Sequence, residues 1–593
     1  MVRTPVLFIL GSSALPLALT LKAALGSEIH GPRCVHGPDH AYEKAAAALQ
    51  SLFRDGRPII ALCAAGVVIR ALAPVLEDKR QEPPVLALAE DGSSIVPLLG
   101  GHHGANELAR RIAQITGGHA AITTASDLRF GAAFDDPPAG WALANPEHMK
   151  DFAARLLAGG TVKLEGNLPW LDLPQSVEAA LTITATHESI GGSPSHLVYH
   201  PKVLTLGVGG ERGIEAQELI ALVEDTLTRH GLAKTSLAAI ASIDLKEDEA
   251  AIQALARHLG LPLRVFTAQE LNEQAPRLKT PSAVVMKEVG CPGVAEGAAL
   301  ALAGPHSDLI IAKTKSRRAT CAVALASSPL VALGGRGRGM VSLVGLGPGD
   351  VSSRSPAATE ALRRATDWVG YSLYLDLARD LKATQTEHRF PLGAEEDRVR
   401  HAIALAREGR RVALICSGDP GIYAMAALVY ELLDLTPERI AVEVLPGISA
   451  FQAAAARAGA MIGHDFCCIS LSDLLTPWEA IENRLHAAAQ GDFVTAFYNP
   501  RSLKRRDQLD RAIAILKPHR PDDTPVIIAS NLGRPEESVS IVPLKDFDTQ
   551  VVDMLTLVMV GSSQSKSMLR GDGRTYAYTP RGYAKKRLSG KPA

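Results

Sequence analysis

Val341-Ser342-Leu343-Val344-Gly345-Leu346-Gly347-Pro348-Gly349-Asp350 is answered further along the chain by Ser417-Gly418-Asp419-Pro420-Gly421-Ile422-Tyr423. Each stretch reads as a short apolar strand running into a turn that glycine and proline shape. One glycine loop alone is a weak signal, whereas a pair built alike marks a ligand site at the carboxyl ends of parallel strands. Neither loop carries the Lys-Ser/Thr that follows the glycines of a P-loop, which argues against a nucleoside triphosphate. A different flat, polar cofactor is expected.

Just ahead of the first loop, Gly334-Gly335-Arg336-Gly337-Arg338-Gly339 is the sharpest composition shift in the chain and reads as a flexible tether. Behind the tether, Val399, Ala402, Ile403 and Ala406 give the apolar stripe of a helix, and Arg411 to Cys416 the strand after it. In front of it, short β-branched runs alternate with alanine-rich helical stretches, the pattern of α/β layers. Pro58 to Leu62 reads as a strand, Asn106 to Ile115 as a helix, and Lys202 to Leu206 as a strand feeding Gly207-Val208-Gly209-Gly210-Glu211-Arg212-Gly213. Asp135-Asp136-Pro137-Pro138-Ala139-Gly140 is a loop signal and a boundary. The expected organisation is a first α/β domain over 1–134, a middle region over 135–200, a second α/β domain over 201–330, a Gly/Arg linker over 331–340 and a two-lobed module over 341–593.

A chain of 593 residues exceeds what one core organises, and 47% apolar against 21% charged residues lets every domain be globular. With a formal net charge of −1 and no basic tract interleaved with aromatics, nucleic acid is not an expected partner. The 7 cysteines show no Cys-x-x-Cys spacing, so no zinc ribbon or iron–sulfur cluster, and no protein-bound metal of any kind, is expected. Cys467 and Cys468 sit in an apparent strand as core and edge thiols. Met1-Val2-Arg3 and the apolar run to Leu10 are broken by Gly11-Ser12-Ser13, so they read as a first strand, turn and helix instead of a secretory signal. No stretch has the roughly 18 apolar residues of a membrane span. A cytoplasmic protein without membrane attachment is expected.

The two loops, together with Leu445-Pro446-Gly447-Ile448-Ser449-Ala450, Ala496-Phe497-Tyr498-Asn499-Pro500-Arg501-Ser502 and Leu557-Val558-Met559-Val560-Gly561-Ser562-Ser563, resemble the tetrapyrrole methyltransferases that use S-adenosylmethionine. Within that class, Val369-Gly370-Tyr371-Ser372-Leu373-Tyr374 and Tyr-Asn-Pro-Arg-Ser resemble precorrin-3B C17-methyltransferase. The resemblance covers roughly residues 340 to 590 and implies a class III methyltransferase fold, commonly a homodimer, acting on a tetrapyrrole. It implies methylation at C17 with ring contraction. Carried over by position, it puts Gly347, Pro348, Gly349, Ser417, Gly418, Asp419, Ile422, Ser449, Ala450 and Asn499 on the cofactor, and Tyr498 and Arg501 on the macrocycle and its carboxylates. Asp350 is a candidate for orienting substrate or relaying a proton, with capping of the following helix as its competing role. Methylation at another corrin carbon, such as C11, is the same-class alternative.

Gly100-Gly101-His102-His103-Gly104-Ala105-Asn106-Glu107-Leu108-Ala109, Ala121 to Asp127, and the segment from Ala65 through Asp78-Lys79 resemble the amino-terminal domain of cobalt-precorrin-5A hydrolase. The Gly207 to Gly213 loop, Ser242-Ile243-Asp244-Leu245-Lys246 and Ala312-Lys313-Thr314-Lys315 resemble its carboxyl-terminal domain. Lactone opening needs an activated water and a donor to the oxyanion, which makes His102 and His103 beside Asn106 candidate catalytic residues. Their alternative is a loop that shapes a helix entry, and the half-chain's alternative is a non-catalytic tetrapyrrole carrier. Arg317 and Arg318, with Lys313 and Lys315, are a candidate patch for the substrate's acetate and propionate arms. Cobalt, if present, is expected in the substrate.

Overall fold

The computed structural model describes residues 4–77, 82–123, 134, 137–173, 175–502 and 505–583. The chain divides into two compact units, Met1–Gly337 and Arg338–Ala593.

Among the described residues, the first unit contains three sheets. Val6–Ile9 is buried on both faces, as an inner parallel strand requires. It lies between Glu28–Pro32 and Ile59–Leu62 in a seven-stranded sheet whose order continues through His40–Tyr42 on one side and through Val85–Leu88, Ser94–Leu99 and His119–Ala120 on the other. The opening segment is therefore a strand followed by the helix Leu15–Leu25. The middle stretch carries a sheet of its own, ordered Trp141–Leu143, His196–Pro201, Leu181–Ala185, Val162–Glu165, over a core of Phe152, Leu156, Ile183 and Tyr199. Phe134 joins that core, and the strand His196–Pro201 runs through residue 200, where a boundary was expected. The third sheet is ordered Leu263–Phe266, Leu237–Ile243, Leu204–Gly210, Ala319–Leu325, Asp308–Lys315.

The second unit has two lobes. In the first, Met340–Gly345 pairs in parallel with both Arg411–Cys416 and Ala441–Leu445. Asp367–Tyr371 and Thr386–Phe390 complete the five strands. Alternation along the central strand sends Val341 and Leu343 into one core with Val399, Ala402 and Val429, while Val344 enters the opposite core with Ala361 and Leu362. Each such fully buried aliphatic side chain contributes roughly 1.5–3 kcal/mol. The second lobe is a mixed sheet ordered Phe466–Ser470, Val494–Tyr498, Thr556–Val560, Pro525–Ser530, Ser538–Pro543. Cys467 and Cys468 lie in its outermost strand, both partly buried.

The glycine-arginine stretch is not a free tether. Val265 and Arg336 exchange backbone hydrogen bonds at 2.8 and 3.0 Å, Arg264 donates to the carbonyl of Gly334 at 2.8 Å, and Arg336 pairs with Glu247. On the other side of the division, Arg338 donates to the carbonyl of Arg439 at 2.8 Å. The glycines serve close approach here: a Cβ on Gly339 would lie 1.7 Å from the carbonyl oxygen of Ala406, and one on Gly335 would lie 2.8 Å from that of Val265.

Candidate active site

Three neighbouring parallel strands of the first lobe end together, so the loops after Gly345, Cys416 and Leu445 emerge side by side. Gly347 and Gly418 form an isolated backbone bridge across the first two. Their glycines are needed for contact: a Cβ on Gly345 would lie 2.6 Å from the carbonyl oxygen of Gly418, and one on Gly447 would lie 2.1 Å from the same oxygen. Gly347 and Gly418 adopt positive φ of 76° and 65°. Asp419 ties the second loop to the third. Its Oδ1 accepts from the N–H of Gly421 at 2.8 Å and its Oδ2 from the N–H of Gly447 at 3.1 Å. Ser449, 1% exposed, then caps the helix Ala450–Ala458 in a reciprocal box with Gln452.

Thus Gly347, Pro348, Gly349, Ser417, Gly418, Asp419, Ser449 and Ala450 gather at one end of one sheet. Pro348 is buried within the turn. Ile422 and Ala450 pack with Tyr498 against the core of the second lobe. The Tyr498 hydroxyl accepts from the N–H of Phe451 at 3.4 Å, and its ring lies 5.1 Å from that of Tyr423. Burial is the largest influence on the Tyr498 phenol and pushes it up to about 12, so at neutral pH it is a donor and not a base. Asn499, exposed and at φ 49°, donates to Ser470 Oγ at 3.1 Å.

Other expected residues hold the scaffold. Asp350 caps the short 3-10 turn Val351–Ser353, accepting from the Ser353 N–H at 2.9 Å and the Ser353 hydroxyl at 2.7 Å. Burial raises its carboxyl, but hydrogen bonds from Ser352 and Ser353 and the charge of Arg457 outweigh that and leave it below the usual range. The competing role, capping, is the one this geometry displays. Arg501 donates to the Thr549 carbonyl at 2.8 Å and to Gln550 at 2.7 Å, which commits much of its guanidinium to a turn.

One residue passed over in the sequence belongs to this cluster. Arg534 comes from the second lobe, from the turn Asn531-Leu532-Gly533-Arg534, and reaches Ser417 Oγ at 3.2 Å. A Cβ on Gly349 would lie 2.8 Å from Arg534 Cγ, and the Arg534 Nε is buried with no hydrogen-bond partner among the described residues. The only local signal is Asn-Gly turn chemistry, with Asn531 at φ 52° and Gly533 at φ 69°.

In the first unit, His103 sits in the 3-10 turn Gly101–His103 between the left-handed residues Gly100 and Gly104, just before the helix Ala105–Thr116. Its Nδ1 lies 2.7 Å from the carbonyl oxygen of Glu82. A carbonyl only accepts, so Nδ1 carries the proton and Nε2 presents its lone pair. Asn106, 4% exposed, opens the helix behind it. The His102 side chain, Asp78-Lys79 and Thr124 to Asp127 lie outside the described residues. The basic patch is smaller than expected, because Arg318 donates to Glu211 at 2.8 Å and to the Arg212 carbonyl at 3.0 Å, and Lys313 to the Thr280 carbonyl at 3.2 Å. Arg317 and Lys315 remain exposed.

Segments of both units match known protein families. Residues 340–548 match the profile of the Tetrapyrrole (Corrin/Porphyrin) Methylases, residues 204–324 that of the Cobalamin synthesis G C-terminus, and residues 47–127 that of the Cobalamin synthesis G N-terminal. A precorrin-3B C(17)-methyltransferase of Sinorhizobium sp is 40% identical over 249 residues, 42% of this chain and 98% of that protein. A probable cobalt-factor III C(17)-methyltransferase of Salmonella typhimurium is 43% identical over 244 residues, 41% of this chain and 99% of that protein. Among solved structures, the methyltransferase CobJ aligns at 43% identity over 41% of this chain and 100% of its own, with a TM-score of 0.39. No described helix is long and apolar enough to cross a membrane.

Proposed function

Because the chain belongs to the precorrin-3B C17-methyltransferase family of tetrapyrrole methylases and carries both cobalamin synthesis G parts ahead of it, we propose a two-activity corrin-pathway enzyme whose second unit binds S-adenosylmethionine at the three glycine loops. The observation that carries the proposal is the convergence of Gly345, Gly418 and Gly447, which leaves backbone edges, Ser417 and the unpartnered Nε of Arg534 at the strand ends. These residues fit a zwitterionic cofactor: the guanidinium matches a carboxylate, and the loop backbone provides donors and acceptors without side-chain bulk. When bound, the cofactor supplies an electrophilic methyl group.

The protein's own task is then alignment and exclusion of water. Asp419 and the Gly347–Gly418 bridge hold the loops in one arrangement, so little ordering remains for binding to accomplish. Tyr498, kept protonated by burial, can donate to substrate but cannot abstract its proton. Asp350, ionised and held by Ser352 and Ser353, positions the first loop.

The target carbon is C17 of a precorrin-3 derivative, methylated with contraction of the ring, as the C17-methyltransferase relatives indicate. Incubating the full chain with precorrin-3B and methyl-labelled cofactor, then locating the label by NMR, tests this. Label on C11 would reject it.

For the first unit the proposal is hydrolysis of the cobalt-precorrin-5A lactone, with His103 Nε2 as the base that activates water. The Nδ1 bond to Glu82 supports it, since that bond leaves the correct nitrogen free. Acetaldehyde release by the full chain, lost in His103→Ala, is the expected result; substrate binding without release in the unaltered chain would favour a carrier. Such a lactone arises on the cobalt-containing route, so the proposed substrate carries cobalt, and faster turnover of the metal-free form would overturn that. A homodimer through residues 341–593 and a cytoplasmic location belong to the same proposal.

A further inference from the structure

We infer that Glu28, His30 and His40 form a binding site for a first-row divalent cation at the edge of the first sheet, remote in sequence from the His102–His103 loop. Local pattern in the sequence gives no hint of it, because the ligands come from two strands. Glu28 and His30 are two residues apart on the strand Glu28–Pro32 and so share a face, and His40 on the edge strand His40–Tyr42 lies directly opposite His30 in the parallel register. One ligand atom from each of the three falls within 4.8 Å of the others. Glu28 Oε2 and His40 Nε2 are 3.7 Å apart, and the two imidazole rings lie 4.5 Å centre to centre. Ligand atoms around a tetrahedral zinc-like ion are about 3.3 Å apart, given bonds of about 2.0–2.1 Å. Coordination therefore requires the three side chains to rotate toward one another.

A second observation points to a ligand. His30 Nε2 is buried with no hydrogen-bond partner among the described residues, an unfavourable state for a polar group. A coordinate bond to a cation would satisfy that nitrogen. Two imidazoles and a carboxylate suit zinc, cobalt(II) or nickel(II) over magnesium or calcium, and three protein ligands leave one position for water or an anion. Arg57 is the opposing element. Its NH2 donates to Glu28 Oε2 at 3.0 Å, so it competes with the cation for the carboxylate and its charge opposes binding. Asp39 does not compete, since it accepts from the Ile29 N–H at 2.8 Å and pairs with Lys22. The site lies along the first strands of the sheet and away from the 3-10 turn after Ser94–Leu99, which fits a cation that pins the three-residue edge strand.

The test is calorimetric titration of the chelator-treated full chain with zinc chloride, alongside the visible absorption bands of cobalt(II) in place of zinc. One equivalent should bind; His30→Ala and His40→Ala should each weaken it at least tenfold, and Arg57→Gln should tighten it severalfold. Unchanged affinity in the two histidine variants, or weaker binding in Arg57→Gln, would overturn the inference. Should either histidine variant fail to fold, X-ray absorption of the zinc-loaded unaltered chain decides. Two imidazoles in the coordination shell are expected, and one or none would overturn the site.

Discussion

The N–H of Gly418 donates to the carbonyl of Gly347 at 2.8 Å, and the N–H of Gly347 returns the bond to Gly418 at 3.2 Å. This pair is an isolated antiparallel bridge beyond the ends of the parallel strands Met340–Gly345 and Arg411–Cys416, in the two loops the cofactor is proposed to meet. A ligand therefore encounters loops already fixed to each other, and the entropy of ordering them is spent in folding.

Gly447 packs into that pair from the third loop. Alanine there would place a Cβ 2.1 Å from the Gly418 oxygen and 3.0 Å from the Gly345 Cα, both backbone atoms that cannot move without breaking the bridge. Gly447→Ala should lower affinity for S-adenosylhomocysteine at least about tenfold, equivalent to about 1.4 kcal/mol. Gly571→Ala, with nothing within 4 Å of the new Cβ, should leave it unchanged. Calorimetry on both variants checks this, and equal affinities would refute the packing argument.

Asp419 offers an electrostatic version of the same test. Asparagine at this position can accept from only one of the Gly421 and Gly447 N–H groups, because its amide nitrogen would face the other donor. Losing a charge-assisted bond and opposing two donors costs about 1–3 kcal/mol. Asp419→Asn should therefore weaken S-adenosylhomocysteine binding by roughly one order of magnitude or more. Binding as tight as in the unaltered chain would show that the clamp is dispensable.

Much of this architecture is legible from residue pattern alone, and the parts that are not share a cause. The strand Arg411–Cys416, the helix Ala105–Thr116 and both glycine loops follow from periodicity and turn residues, which are local properties. That Asp419 would reach Gly447, or Arg534 reach Ser417, depends on strand order and on how the lobes fold together, and no local pattern carries that. The glycine-arginine stretch misleads for a related reason. Its composition is that of a flexible linker, while its glycines are selected by close approach to Val265 and Ala406.

Asp350 separates capping from proton transfer. A cap needs an oxygen acceptor at the Ser353 N–H, which asparagine retains and alanine does not. Asp350→Asn should keep kcat within about threefold, while Asp350→Ala should lose about 1 kcal/mol of stability. Urea unfolding and steady-state methyl transfer measure the two. A collapse of kcat in Asp350→Asn at unchanged stability would restore a proton-relay role.

Glu296 makes the first unit's stability depend on pH with a definite sign. The side chain is 2% exposed, and its oxygens accept from the N–H groups of Lys279 at 2.8 Å, Thr280 at 3.0 Å and Lys313 at 2.8 Å, and from the Thr280 hydroxyl at 2.8 Å. Burial acts to raise its carboxyl, but these donors outweigh it and the group sits below its ordinary range. The unfolded chain, with glutamate titrating at about 4.3, then binds more protons than the folded one between the two values, so stability rises with pH across that window. The contribution is complete above the unfolded value and is lost as pH falls through the folded one. Glu296→Gln, which turns an amide N–H2 toward backbone donors, should cost about 1–3 kcal/mol at neutral pH. The gap between it and the unaltered chain should narrow as pH falls below the ordinary glutamate range, because the unfolded chain takes up a proton there that the native carboxylate, held lower, resists. Urea unfolding of both proteins at neutral and acid pH measures that gap directly. A gap that stays constant or widens toward acid would mean that Glu296 is held in its neutral form and that its donors do not set its charge.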